Sequence, residues 1–433
     1  MTASADRRRR RTLTAAVLAV VATLLVVVIT AVGATSLANS QAGRDASQGR
    51  LVQVRVPATP TALVAVVDDV GRLTSMAVLV LDPSGVGGSI VSIPATADST
   101  LDLGDDRYPV AETLEVQGVE AFVLEAEAMT ALSFDVVELT TAERLADLVG
   151  RLGTVDVELP VDVVDDRASA PVAVAGQVTL TPDEVAAVLT ASTEFEPAHV
   201  SEPAREAVWA AIASRVGAGT GSAEPVPSGV DTPTPADLDE FVDRLFAGRV
   251  GARSLTFAVP PDERNPRDVD VVVLDRAEVL LVFAQIAPGR VAAPNESLTF
   301  RIEAVFSEAD LANAGFNNAD AARDVINRLL FVQANVVSVV TGGDRAPEVS
   351  RAYVSDASML DQVEEGWSVL LGEVEVEAAD FEIPGVDAVI VLGRSYLDLR
   401  RDEAATGSSV PGGLTEPTEL GPTDDEPDDE PDE

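Results

Sequence analysis

The chain has 433 residues and a formal net charge of −42, from 30 basic and 72 acidic groups; every basic group is arginine, the one histidine is His199, and cysteine is absent. Without lysine or cysteine there is no Walker A loop, lysine Schiff base, thiolate nucleophile, zinc knuckle or disulfide, and a Ser-His-Asp triad would have to use His199. So large an acidic excess argues against a nucleic-acid partner, because phosphate binding needs a basic face.

Arg7 to Arg11 form a basic run, and residues 13–34 follow without a charge. At 1.5 Å per residue that stretch makes roughly 33 Å of helix, about the hydrocarbon thickness of a bilayer. The reading is a cytoplasmic segment at 1–11 and a single transmembrane helix at 12–34, with the basic flank inside and the bulk of the chain extracytoplasmic. A cleaved signal peptide is the rival, since Ser36-Leu37-Ala38 roughly fits a small-x-small site, but its apolar region would be only about 7 to 15 residues. Residues 35–60 read as a polar stalk.

Beyond the stalk, residues 62–67, 76–81 and 89–93 are Val, Leu and Ile runs bounded by Asp, Gly or Pro. Such runs suit strands buried on both faces, and the turns between them predict a three-stranded meander. A helix is predicted over 117–130 and a strand over 134–139. The next helix is read from a capping box of Thr140 and Glu143, with Ala142, Leu145, Ala146, Val149 and Leu152 at helical spacing and Gly153 as its cap. A strand at 155–159 follows. Thr181-Pro182-Asp183-Glu184 is a second capping box, opening a helix that runs to about 193. Another helix covers about 203–216. Residues 217–235, rich in Gly, Pro, Ser and Thr, read as a linker-like insertion. A helix, strands at 254–259 and 269–274, and a second helix then lead to residue 286.

A loop at 287–297, containing the sequon-like Asn295-Glu296-Ser297, precedes a second unit at 298–395. Its predicted order is strand 298–305, helix 319–330, strands 334–340 and 351–354, helix 357–371, and strands 373–378 and 388–392, a compact α/β module. The end, 396–433, reads as an acidic disordered tail; residues 415–433 hold ten acids, no base and four prolines. The fold class is therefore α/β: a sheet covered by helices over 61–292, and a smaller C-terminal α/β domain.

Several segments resemble a known family. Val78-Leu79-Val80-Leu81-Asp82-Pro83 and Ser89-Ile90-Val91-Ser92-Ile93-Pro94 resemble the strand pair that opens the LytR-CpsA-Psr domain. Phe134-Asp135-Val136-Val137-Glu138-Leu139, with Leu152-Gly153-Thr154-Val155-Asp156-Val157, is similar to its later strand-helix-strand segment. Gly176-Gln177 through Leu189 is similar to the segment before its arginine cluster. Residues 299–305 and 387–393 resemble the first and last strands of the LytR C-terminal domain. In this family the activity is transfer of a glycan polymer from a polyprenyl pyrophosphate carrier to peptidoglycan, with magnesium, so the resemblance implies a cell-envelope protein and a lipid-sized crevice between sheet and helices.

The family's site residues are largely missing. Ala95 follows Ser92-Ile93-Pro94 where the family has arginine, and Thr74 stands where it has an acidic metal ligand. Thr190 and Ser192 replace two arginines, and Glu202 replaces the first of the next pair, leaving Arg205. Losing three charge-assisted contacts at roughly 1.5 to 3 kcal/mol each would weaken pyrophosphate binding by a thousandfold or more. The resulting expectation is a non-catalytic binding or scaffolding relative, a pseudoenzyme. The alternative is an active transferase using arginines remote in sequence, such as Arg107, Arg205 and Arg249, with Mg as cofactor. Arg205, Arg72 and Arg107 are the candidate pyrophosphate ligands, Asp68 and Asp69 the candidate metal ligands, and polyprenyl lipid or cell-wall glycan the candidate partners. Glu202 and Glu206 are alternative ion-pair partners for Arg205, and the Asp-Asp-Arg sequences at 105–107 and 165–167 suggest local neutralisation. Gly342-Gly343-Asp344 reads as a turn. No sequence feature specifies a protein partner or an oligomeric state.

Overall fold

The computed structural model describes residues 52–53, 56–99, 107–168, 170–193, 196–227, 230–261, 265–291, 297–312, 314–356, 360, 367 and 370–406. The expected anchor, most of the expected stalk, Asn295 and Glu296 of the sequon, most of the expected helix at 357–371, and residues 407–433 of the expected tail lie outside them. Among the described residues no helix is long and apolar enough to cross a membrane.

Two mixed α/β units follow one another. The first is built on β2 (Thr61–Val67), β3 (Leu73–Leu81) and β4 (Gly88–Ile93), the expected antiparallel meander. β5 (Val136–Thr140) adds parallel to β2, and β8 (Val250–Ser254) adds parallel to β4. The sheet order is thus β5-β2-β3-β4-β8. Alternate residues of β2 and β3 supply two cores, one containing Ala62, Val64, Val66 and Leu79, the other Leu63, Ala65, Met76 and Val78. This explains why the strands are continuous apolar runs without a polar face.

The first core is covered by α3 (Ala142–Gly150), α4 (Pro182–Thr190), α5 (Glu202–Val216) and α6 (Leu238–Phe246). The second is covered by α1 (Val110–Gln117), α2 (Val119–Thr130) and α7 (Arg276–Ile286). The helix predicted over 117–130 is therefore two helices. They break at Gly118, whose φ of +87° suits glycine and ends one helix as it starts the next. β6 (Val155–Leu159) and β7 (Gly176–Leu180) form a separate antiparallel pair.

Of the two capping boxes expected from the sequence, one is formed and one is not. The Thr181–Glu184 capping box at the start of α4 is present with both reciprocal bonds. The predicted box at Thr140 and Glu143 is not: Thr140 is the last, fully buried residue of β5, and Thr141 caps α3 by accepting from the Arg144 amide. Position N3 is then Arg144, which has no carboxylate to return the bond; its guanidinium pairs with Glu138 at 2.8 Å and Asp239 at 2.7 Å. Strand pairing with β2 determined which threonine became the cap.

The stretch at 217–235 lies against the first unit. The amides of Thr220 and Gly221 donate to Phe246 O, Val226 N to Ser84 O, and Thr232 Oγ1 to Pro83 O. Its composition signals irregular backbone, and the hydrogen bonds to the β3–β4 turn and the end of α6 hold it down.

The C-terminal unit has β11 (Thr299–Ala304) between two parallel neighbours, β12 (Asn335–Thr341) and β16 (Ala388–Val391). β13 (Ser350–Val354) runs antiparallel to β16, and β14 (Val374–Ala378) parallel to β13. The short helix α8 (Glu308–Leu311) and α9 (Asn318–Phe331) link β11 to β12. Two two-residue pairs complete the strands: β9 (Phe257–Ala258) with β10 (Val273–Leu274), and β1 (Val52–Gln53) with β15 (Phe381–Glu382). Through β1 the end of the expected stalk is docked in the fold, with Thr59 buried and Pro60 O accepting from the Leu81 amide.

A final helix, α10 (Arg394–Thr406), lies where the sequence reading placed the start of the tail. Tyr396 and Leu397 enter the core, and the Tyr396 hydroxyl donates to Asp324. Arg328, with no exposed side chain, pairs with Asp324 and Glu403, each at 2.7 Å. The charged surface of 394–406 hid this helix, because its apolar contacts are few and its acids neutralise a buried arginine. α7 joins the two units: Val279, Val282 and Phe283 face the first, while Ala277, Leu280, Leu281 and Ala284 face the C-terminal core. A helix apolar on all sides is one buried between layers.

Candidate functional site

The positions singled out by the family resemblance converge at the C-terminal end of α4. That helix ends at Thr190 without a glycine cap, and Ala191 is extended. Its last carbonyls need donors, and three side chains provide them. Thr74 Oγ1 donates to Leu189 O at 2.8 Å, Arg167 Nη2 to Thr190 O at 3.1 Å, and Arg205 Nη2 to Ala191 O at 2.9 Å. Two of the three are cations, which favour the negative end of a helix dipole.

Arg205 is held through both terminal nitrogens, while its buried Nε has no hydrogen-bond partner among the described residues. Its Nη1 lies 2.7 Å from Glu202 Oε1, one turn back on α5, and 3.2 Å from Ala198 O. The two side chains are 3% and 1% exposed. The Glu202 carboxylate also accepts from the Ala95 backbone amide, so Ala95, Glu202 and Arg205 meet in space. Burial pushes the Glu202 carboxyl up to about 7, against the pull of the Arg205 guanidinium. Glu206, the other partner considered for Arg205, is raised by burial.

Along α4 as far as Thr190 opens a cleft of about 370 Å³, whose walls carry Asp69, Glu143, Asp165, Asp183 and Arg167. Arg167 is the cation of this lining, and it is committed: it pairs with Asp165 at 2.5 Å and Asp69 at 3.2 Å. The Arg167 hydrogen bonds hold Asp165 below its ordinary carboxylate range. Local neutralisation at 165–167 is as the sequence suggests, but the reach of Arg167 to Asp69 and to the end of α4 depends on the fold.

The remaining candidates have structural partners elsewhere. Asp68 closes the β2–β3 hairpin, accepting from the amides of Val70 and Arg72, and pairs with Arg72 Nε at 3.0 Å. Arg107 pairs with Asp98 at 2.5 Å, an acid outside the Asp105-Asp106-Arg107 run; Asp105 and Asp106 themselves lie outside the described residues. Arg249 lies at the glycine turn before β4, where its carbonyl accepts from Gly88 N. Arg107, Arg205 and Arg249 thus occupy three separate neighbourhoods and do not line the cleft. His199 Nδ1 lies 2.7 Å from Asp270 Oδ1, a contact across 71 residues with no local sequence signal.

The donor set does not suit magnesium. Thr74 directs its one hydroxyl proton at Leu189 O, with Val66 O at 3.2 Å, Asp68 is used by the hairpin and Arg72, and Asp69 pairs with Arg167. Among the described residues no three His, Asp or Glu side chains are grouped to hold a metal ion. The expected crevice between sheet and helices is also filled. Val64, Leu79, Ile90, Leu148, Trp209 and Phe246 leave about 20 Å³ there, room for about one water. Trp209 fills the middle and anchors itself by donating from Nε1 to Ser75 Oγ at 3.1 Å.

No family model and no curated protein matches the chain. Among solved structures, TagV of B. subtilis is 15% identical, with TM-score 0.37 over 52% of this chain and 94% of its own. TagT of B. subtilis is 17% identical, with TM-score 0.35 over 52% and 88%. A LytR-Csp2A-Psr enzyme from Actinomyces oris is 17% identical, with TM-score 0.34 over 52% and 91%. Values at this level assign neither residues nor activity, so the chemistry of the site follows from the contacts above.

Proposed function

We propose that this is a membrane-anchored, extracytoplasmic cell-envelope protein whose LytR-CpsA-Psr-like domain acts in binding or scaffolding and not in polymer transfer. The observation that carries the reading is the state of Arg205. The surviving arginine of the family pattern is buried, paired with a glutamate that stands in another arginine's place, and bonded to Ala191 O and Ala198 O. A pyrophosphate ligand needs several free, fixed cations in fork geometry. Here the neighbouring positions are Ala95, Thr190 and Ser192, and the adjacent cleft carries four carboxylates beside one paired arginine. An anion entering it meets repulsion, and a polyprenyl tail finds a packed core in place of a crevice.

The test is calorimetric titration of the full-length protein, in detergent, with geranylgeranyl pyrophosphate at millimolar magnesium. Absence of saturable binding is the expected result. Saturable binding that Arg205→Met abolishes while the variant stays folded would overturn this reading and favour the active-transferase alternative. The anchor is tested separately: the protein should stay with membranes at high salt and alkaline pH, and deletion of residues 12–34 should release it.

A further inference from the structure

The C-terminal unit contains a second cavity, which the sequence reading passes over as a turn. We propose that it binds a small zwitterion, an α-amino acid or the free ends of a short peptide. The cavity is about 400 Å³, within the range of small-molecule sites, and lies where β11, β12 and β16 end. These three parallel strands are adjacent, with Glu303 opposite both Val340 and Val391. In open α/β sheets the crevice outside the carboxyl ends of parallel strands is where ligands sit, because the chain diverges there and leaves room between loops.

The lining carries unlike charges that the protein leaves open. Among the described residues most arginines are paired with carboxylates, yet Arg345 makes no ion pair and its neighbour Asp344 makes none either. Both side chains are exposed at the cavity, while the backbone carrying them is fixed. Gly342 N donates to Ala304 O at 2.8 Å, and Arg345 N to Val305 O at 3.1 Å. Gly343 has φ +144°, and a Cβ there would stand 3.2 Å from Val305 Cβ, so the loop sits close against the end of β11. Glu303 adds a second carboxylate, oriented by Arg301 at 2.7 Å. A guanidinium and two carboxylates in one lining suit a ligand bearing both a carboxylate and an ammonium group. A simple anion would meet Asp344 and Glu303, and a simple cation would meet Arg345.

Glycylglycine is the probe, because it carries both charges and no side chain. Titrated into the full-length protein in detergent, it should bind saturably with Kd on the order of 1 mM or tighter. Acetate, inorganic phosphate and methylammonium should each bind at least about tenfold more weakly. Arg345→Ala and Asp344→Asn, both exposed substitutions, should each weaken glycylglycine about tenfold while leaving the thermal transition and Trp367 fluorescence unchanged. No saturable binding, equal binding of acetate or phosphate, or indifference to either substitution would overturn the proposal.

Discussion

Replacing Arg205 by methionine separates a structural guanidinium from one held ready for a ligand. A cation kept free for an anion stabilises little, and its removal is close to neutral. Here the side chain supplies hydrogen bonds to Glu202, Ala191 O and Ala198 O in a buried site. At roughly 1 kcal/mol each, their loss costs about 3 kcal/mol. The pH dependence adds a sharper signature. The Glu202 carboxyl is raised from 4.5 to about 7 in the folded protein. The native state then binds more protons than the unfolded state between those values, so stability falls as pH rises from about 4.5 to about 7 and levels off above, a penalty of about 3 kcal/mol for this group. Without Arg205 the carboxyl titrates higher still, and the fall continues above pH 7 at about 1.4 kcal/mol per pH unit. Urea unfolding read by Trp209 fluorescence in a Trp367→Phe background, at pH 6 and pH 9, measures both effects. A loss below about 1 kcal/mol, or the same loss at both pH values, would refute the argument that Arg205 is committed to Glu202 and the end of α4.

Trp209→Ala should cost about 3 to 5 kcal/mol by urea unfolding, because the region between sheet and helices is packed; a crevice lined for lipid would tolerate the truncation far better. Thr141→Ala should lose about 1 kcal/mol and fray the first turn of α3, seen as faster amide exchange at residues 142–145, since Thr141 is the cap. Arg328→Ala removes the buried cation between Asp324 and Glu403 and leaves them only the peripheral Arg400, at 3.5 and 2.9 Å, so a loss of about 3 kcal/mol is expected, with weakened amide exchange protection over 394–406.

The meander of β2, β3 and β4 is legible in the sequence because strands buried on both faces are unbroken apolar runs with turn residues between them. The capping box of α4 is equally legible, since four adjacent residues carry both halves of it. The α3 cap moves by one residue because Thr140 is claimed by the ladder to β2, a partner 74 residues away. Helix α10 is not legible in the sequence because its stabilising contacts are an ion network with α9 and the adjacent Tyr396 and Leu397, which leave no helical period. At the site, the residue identities at 74, 95, 190, 192, 202 and 205 are in the sequence. Their use as helix caps and an ion pair is not.

By itself the sequence determined the exclusions: an all-arginine, cysteine-free chain of charge −42 has no lysine, thiolate or disulfide chemistry, and its expected phosphate ligands are mostly neutral or acidic residues. It also determined the α/β class, because alternating apolar runs and helical periods are local properties of the chain. Only the tertiary structure decided what the remaining arginine does. A guanidinium's role depends on which acceptors surround it and how much water reaches it. Here the end of α4, Ala198 O and the Glu202 carboxylate take Arg205, while the loops leaving the parallel strands β11, β12 and β16 leave Arg345 open beside a cavity.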